Sequence, residues 1–331
     1  MWGMKKQRFS LPALFFIIST AVFGQVPVIF DTDMGNDIDD ALALAMLHSL
    51  TSRGECRLIG VTLTNANSFA VPYVRMIDRF YGREALPVGA ALKHLKDGDH
   101  DNYLSAALKS APEEYRGSDL HAAAEPAVIV LRRLLAASTE KVIIVQVGFS
   151  TNLAALLDSK GDAISPMNGM ELAKTKVALL SAMAGNFVET NPEYNVNLDL
   201  AAAQNVFERW PTPVLFSGFE IGRDLLYPAS SIEKDFTYAK WHPIAVSYRA
   251  YNKMPYDRPS WDLTAALAAV RPSSKYFSVS PKGKVHVDDH GTTRFVSGDG
   301  DRQYLVLDAA QRAKALEALI LLTSEPPPRE K

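Results

Sequence analysis

The sequence predicts an α/β protein built on a mostly parallel, open sheet with helices on both faces. Three observations predict it. Short β-rich runs alternate with helical runs from residue 26 to residue 218. Runs such as "KVIIVQVG" (141–148) lack the polar alternation of a half-exposed strand, which is how a strand covered on both faces reads. With 331 residues, 47% of them hydrophobic, the chain can fill a sizeable core. A formal net charge of −2 with no basic block excludes a nucleic-acid footprint.

Taken in order, Lys5, Lys6 and Arg8 precede an apolar stretch from Leu11 to Phe23, and "VFG" offers small residues for cleavage near Gly24 and Gln25. Residues 1–24 therefore read as a secretory signal peptide, too short in its apolar part for a membrane span, so that a secreted or periplasmic protein without a stable membrane anchor is expected. Cys56 is the only cysteine, so no intramolecular disulfide can form. "VPVIF" (26–30) reads as a strand and "DDALALAMLHSL" (39–50) as a helix with acids in its first turn, where the helix dipole favours them. "RLIGVTL" (57–63) reads as a strand, and "VPYVRMIDRFYG" (71–82) as a helix stopped by Gly82. The helix "EPAVIVLRRLLAAS" precedes the strand 141–148, and "STNLAALLDS" follows it as a helix with cap residues at its start. "TKVALLSA", "LAAAQNVFERW" and "TPVLFSG" repeat the strand–helix–strand order. "YFSVS", "KVHVDD", "TTRFVS" and "QYLVLD" are short strands between Gly/Asp turns, read as a small antiparallel addition near the C-terminus. An amphipathic helix closes a single domain over 25–323, and 324–331 is a frayed tail.

"DTDMGNDIDD" follows the first strand and places Asp31, Asp33, Asp37, Asp39 and Asp40 within ten positions. In an open α/β sheet, ligands bind beyond the carboxyl ends of the strands, where these acids lie. Two acids would suit a solvated helix start, whereas five after a buried strand call for a cation. Carboxylates without His or Cys companions select a hard ion held through oxygen, Ca²⁺ or Mg²⁺, and no Glu closes an EF-hand loop after Asp31. Gly35 lets the chain turn sharply inside the motif.

"VIFDTDMGNDIDDALAL" resembles the N-terminal signature of the inosine–uridine-preferring nucleoside hydrolase family, Asp-x-Asp-Pro-Gly-x-Asp-Asp-Ala. "GVTLTNAN", "IIVQVGFSTNLAAL", "NPEYNVNLDLAAA" and "SWDLTAAL" match further family segments in the right order. The resemblance implies a Ca²⁺-dependent hydrolase that splits a nucleoside into ribose and free base. It implies Asp33, Asp40 and Asp262 as metal carboxylates, the main-chain carbonyl of Val147 as a further ligand, and Asp39 as the general base for a water on the metal. It also implies ribose contacts from Asn67, Asn186, Glu193 and Asn195, with Asp31 supporting the site from behind. Homo-oligomers are usual in such a family, and the sequence carries no diagnostic surface for one.

Two departures from the pattern stand out. The motif is longer by Asp37 and Ile38; the helix onset at Asp39–Asp40 makes Asp39 the base, while the other register gives that role to Asp37. Before Asp262, where the inosine–uridine enzymes place an acid histidine, stands Trp261, as in the purine-specific branch, where base stacking eases protonation of the ring. Packing is the alternative role for Trp261, and a substrate other than a common nucleoside stays open. His94, His100 and His121 fall in a polar segment expected to overhang the site, and His242, His286 and His290 lie elsewhere; none has a motif that marks it as an acid. Two other readings fit parts of the pattern: a Ca²⁺-dependent ribose- or nucleoside-binding protein without turnover, and a haloacid-dehalogenase phosphatase, whose Asp-x-Asp opening continues differently and whose lysine segment is not evident.

Overall fold

The computed structural model describes residues 2, 25–92, 95, 98, 100–117 and 119–328. The expected leader over 1–24, apart from Trp2, lies outside the described residues, as do His94 and residues 329–331. The strands are β1 (Val26–Thr32), β2 (Cys56–Leu63), β3 (Val88–Ala90), β4 (Glu125–Pro126), β5 (Val142–Gln146), β6 (Val177–Met183), β7 (Val214–Ser217), β8 (Leu226–Tyr227), β9 (Arg258–Pro259), β10 (Ser278–Val279), β11 (Gly283–Val287), β12 (Thr293–Ser297) and β13 (Arg302–Val306). Among the described residues, eleven of them form one sheet in the order β12-β11-β13-β7-β6-β5-β1-β2-β3-β4, with β10 on β13, and β8 pairs with β9.

From β4 to β13 the neighbours run parallel, and β10, β11 and β12 pair antiparallel. The antiparallel addition is therefore present, with one refinement: β13, read as part of it, continues the parallel sheet against β7. Chain order reverses at β1, which lies between β2 and β5. Such a switch point opens a crevice at the carboxyl ends of the two central strands. Asp31 and Thr32 extend β1 beyond the predicted "VPVIF" and stitch that end together. The Asp31 carbonyl accepts from Val147 N at 2.7 Å, and the Thr32 carbonyl accepts from Thr64 N at 2.8 Å.

Apolar side chains bury both faces of the sheet. The helix Asp39–Ser52 is buried on every side from Asp39 to Leu50, as its near-continuous Ala/Leu composition requires. Helix Trp261–Val270 packs beside it and is tied to the sheet by Ser181 Oγ donating to the Ala265 carbonyl at 2.8 Å and by a Ser217–Thr264 hydroxyl pair at 2.7 Å. After the last helix, Glu325 accepts from Arg53 at 3.1 Å. Among the described residues, no helix is long and apolar enough to cross a membrane.

Gly148 shows how tightly the strand ends meet. A Cβ there would stand 2.5 Å from Asp33 N and 2.4 Å from Thr64 Oγ1, so only glycine lets β5 leave the sheet beside β1. Gly148→Ala should cost about 1–3 kcal/mol through overpacking, and urea unfolding of the two proteins measures it. Because the strain falls on the backbone of Asp33, activity should drop further than stability alone accounts for.

Candidate active site

A cleft of about 540 Å³ opens at the switch point. Asp33, Asn36, Asp37, Asp39 and Asp40 line it from the loop and helix after β1, Val147 from just past β5, Met183 from the end of β6, and Glu193, Tyr194 and Asn195 from the segment after it. Phe219, Arg258, Trp261 and Asp262 complete the wall.

The acids are placed by two converging helix starts. Asp39 and Asp40 occupy the first turn of helix Asp39–Ser52, and Asp262 the first turn of helix Trp261–Val270, so both dipoles favour negative charge there. Asp39, Asp40 and Asp262 each present an oxygen within 4.8 Å of the other two. Asp262 N donates to Asp39 Oδ2 at 3.1 Å, and Thr32 Oγ1 donates to Asp40 Oδ1. Behind them, Asp31 Oδ1 accepts from Thr62 Oγ1 at 2.6 Å and from Asn152 Nδ2 at 2.8 Å, while its Oδ2 is buried without a partner. Asp31 thus supports the loop and does not line the cleft.

Burial raises the pKa of Asp31, Asp33, Asp39, Asp40 and Asp262, and neighbouring carboxylates add to it for all but Asp31. Asp33 is pushed up to about 8, chiefly by burial, with Asp37 and Glu193 nearby. Asp31 is pushed up to about 7 against the hydrogen bonds that favour its charge. Asp39, Asp40 and Asp262 are raised well above the ordinary carboxyl range by burial and by one another. A buried set of acids like this holds its charge only around a cation. The donors are oxygens without histidine or cysteine, which fits Ca²⁺ or Mg²⁺. The converging trio contains Asp39 where the sequence reading placed Asp33; Asp33 lines the same cleft beside it.

The lengthened motif is accommodated by a turn at Gly35, whose φ of 127° lies in the region that glycine tolerates. Tyr103 Oη donates to the Asp37 carbonyl at 2.8 Å and accepts from Gly35 N at 3.2 Å, pinning the loop. The Asp37 carboxylate is taken by Arg258, whose Nε donates to Oδ1 at 2.8 Å and whose Nη2 donates to Oδ2. That engagement occupies both Asp37 carboxylate oxygens, while Asp39 and Asp33 line the same cleft without an arginine partner among the described residues.

The expected sugar contacts divide. Asn195 lines the cleft, its Nδ2 donating to the Val147 carbonyl at 2.7 Å and to the Met183 carbonyl at 3.1 Å. Glu193 also lines it, pushed up to about 7 by burial while it caps the following helix by accepting from the backbone N–H groups of Asn195, Val196 and Gly185. Asn67 and Asn186 are not among the lining residues. Asn67 donates to the His100 carbonyl and accepts from Phe69 N, and Asn186 Oδ1 accepts from Val188 N and Glu189 N in a local turn. Both serve as backbone-binding loop asparagines in this structure.

Trp261 sits on the cleft wall, but its surroundings differ from a bare stacking platform. Its Nε1 donates to the Phe219 carbonyl at 2.8 Å, its ring stacks on Phe219 with centroids 5.4 Å apart, and the Arg258 guanidinium lies 5.4 Å from its centroid. Gly222 makes room for it, since a Cβ there would stand 2.3 Å from Trp261 Cα. Phe219, Tyr194 and Arg258 were not singled out from the sequence; Tyr194 stands between two expected ribose contacts in a matched segment, while Phe219 and Arg258 lie in segments without a motif that only the fold brings to the acids. Among the described residues, the lining includes no histidine. His100 Nε2 pairs with Tyr194 Oη at 3.1 Å at the rim, and His242 is buried and pushed down to about 3.

The family model for inosine-uridine preferring nucleoside hydrolase matches residues 28–318. Similar solved structures include a Bacillus anthracis inosine-uridine preferring nucleoside hydrolase, 19% identical, covering 90% of this chain and 100% of that one at a TM-score of 0.68. A purine-preferring ribonucleoside hydrolase from Gardnerella vaginalis is 21% identical over 90% and 99% of the two chains, with a TM-score of 0.68. A plant nucleoside hydrolase is 21% identical over 91% and 99%, with a TM-score of 0.66. No curated protein matches the chain.

The raised carboxyls set a test of the cation. A group whose folded pKa lies above its unfolded value stabilises the fold below the unfolded pKa, and that contribution is lost as pH rises through the folded pKa. For Asp31 and Asp33 the window runs from the ordinary 3.8 to about 7 and about 8. Chelator-treated protein should therefore lose melting temperature between pH 5 and pH 8. Excess Ca²⁺ should restore most of it at pH 8 and little at pH 5, read by calorimetry.

Proposed function

Since the chain belongs to the inosine-uridine preferring nucleoside hydrolase family, and hydrolyses the N-glycosyl bond of nucleosides as such enzymes do, we propose that it is an exported, Ca²⁺-dependent member with a preference for purine nucleosides. The observation that carries the reading is the meeting of Asp39, Asp40 and Asp262 in a cleft also lined by the rings of Tyr194, Phe219 and Trp261. The acids suit a sugar diol and the positive charge that develops on it, and the rings suit a base. The leader over 1–24 supports export. By likeness to the family alone, the partner in assembly is a second copy of the chain.

Asp40 and Asp262, with the Val147 carbonyl, are the residues that would hold Ca²⁺, joined by Asp33 or Asp39. Bound there, the ion supplies a Lewis acid that favours ionisation of water and takes up sugar hydroxyls. Asp39, the base expected from the sequence, takes the water proton if Asp33 completes the coordination; if Asp39 itself does so, as its oxygen in the trio allows, Asp33 takes the proton. Asn195 and Glu193 orient the sugar beside them, which converts a chance encounter into a positioned attack. Membership of the family replaces the phosphatase alternative, and turnover separates the enzyme from the non-catalytic binder.

Purified protein with inosine, guanosine, adenosine and uridine should release free base and ribose, and chelation should stop it. The base is assigned by comparing Asp33→Asn with Asp39→Asn. The variant that lacks the base should lose turnover by a factor on the order of 10² or more while still binding Ca²⁺. Its counterpart should show weakened Ca²⁺ binding by titration calorimetry. If both variants retain near-full turnover, the acid assignment is wrong.

Trp261 tests the purine preference. Trp261→Ala should cost purine nucleosides roughly ten- to hundred-fold in kcat/KM, the worth of about 1–3 kcal/mol of stacking, with Trp261→Phe in between and uridine less affected. Equal small losses for inosine and uridine would reduce Trp261 to a support for Phe219.

A further inference from the structure

Two cross-links join the loop before helix Asp39–Ser52 to the segment that opens helix Trp261–Val270. One lies among the acids themselves, where Asp262 N donates to Asp39 Oδ2 at 3.1 Å. The other lies just upstream on both segments. There Arg258 donates from Nε to Asp37 Oδ1 at 2.8 Å and from Nη2 to Oδ2. A guanidinium paired through two N–H groups to one carboxylate fixes orientation as well as distance. The rings of Tyr251 and Trp261 flank it, with centroids 5.1 and 5.4 Å from the guanidinium carbon.

Both ends of this second cross-link are anchored. Asp37 Oδ1 also accepts from Ile38 N at 2.6 Å, and the Asp37 carbonyl accepts from Tyr103 Oη at 2.8 Å. Arg258 stands in β9 against β8, and Ser260 N donates to the Gly222 carbonyl at 3.1 Å before the helix begins. Ile38 alone separates Asp37 from Asp39, and three residues separate Arg258 from Asp262, so a displacement of the pair passes to both acids. Asp37 and Ile38 are also the two residues by which this motif exceeds the family pattern. Asp39, Asp40 and Asp262 bring oxygens within 4.8 Å of one another, and their charges repel. Unless the two helix starts are held, part of an ion's binding energy is consumed in drawing them together. We propose that the Asp37–Arg258 pair is a positioning clamp that keeps Asp39 and Asp262 in register for Ca²⁺, so that the site is formed before the ion arrives. The assignment rests on the Ca²⁺ reading above and is independent of which base the enzyme prefers.

The clamp and simple electrostatics predict opposite outcomes. Arg258 puts a positive charge beside a cation site, so by Coulomb's law alone its removal tightens Ca²⁺ binding. Through the clamp, its removal weakens binding. The experiment titrates Ca²⁺ into chelator-treated wild type, Arg258→Gln, Arg258→Lys, Asp37→Asn and the Asp37→Asn/Arg258→Gln double variant. Binding is read by calorimetry at one pH, and folding is checked by circular dichroism. Arg258→Gln should weaken Ca²⁺ binding about ten- to hundredfold, the range for removing a group that orients metal ligands. Arg258→Lys keeps the charge but not the two-pronged grip, and should fall between Arg258→Gln and wild type. Asp37→Asn should also weaken binding. The double variant should bind no more weakly than Arg258→Gln, because the two side chains act through one contact. A folded Arg258→Gln that binds Ca²⁺ as tightly as wild type, or more tightly, overturns the clamp and leaves the Ca²⁺ reading standing. Losses that add up in the double variant overturn it as well. Should Arg258→Gln fail to fold, Arg258→Lys decides, since with the charge retained an unchanged affinity overturns the clamp. A wild type that takes up no Ca²⁺ overturns the Ca²⁺ reading together with it.

Discussion

Everything near the centre of this molecule depends on keeping several buried carboxylates charged in one place. At the carboxyl end of β1, burial alone would drive protons onto Asp33, Asp39, Asp40 and Asp262, and their mutual repulsion adds to the tendency. Two helix starts aim partial positive charge at the cluster, and hydroxyl and amide donors from Thr32, Thr62 and Asn152 hold Asp40 and Asp31. These contributions are short-ranged and small beside the cost of unpaired charge in low dielectric. A divalent ion closes the gap, and the architecture around β1 is arranged to receive one.

The parts of this arrangement that local pattern determines could be read from the chain. The strand into Asp31, the helix onset at Asp39 and the turn at Gly35 follow from burial, dipole and backbone freedom within a few residues of one another. The helix from Trp261 was marked by its match to a family segment. Less could be read where distant segments meet. Arg258 lies in the two-residue strand β9 and reaches Asp37 across 221 positions, so nothing near either residue announces the other. Phe219 and Tyr194 likewise acquire meaning only once β6 and β7 bring their loops to the cleft.

Asparagine shows a different limit, since a motif does not say which partner the amide takes. Asn67, Asn186 and Asn195 all stand in matched or adjacent segments, yet an amide side chain satisfies backbone groups as readily as it binds a ligand. Asn195 reaches the carbonyls of Val147 and Met183 at the cleft wall, while Asn186 closes a local turn. Identical chemistry, placed one loop apart, yields different work.

The helix Asp39–Ser52 has no solvent-facing side along most of its length. A rod enclosed in this way cannot slide or tilt without parting the core around it, so the acids at its tip form an unyielding floor. Accommodation of differently shaped bases therefore belongs to the rim, where Tyr194 is partly exposed and Phe219 rests on a short helix. Diversification of such an enzyme toward new ribosides would proceed by editing that rim, with the floor inherited intact.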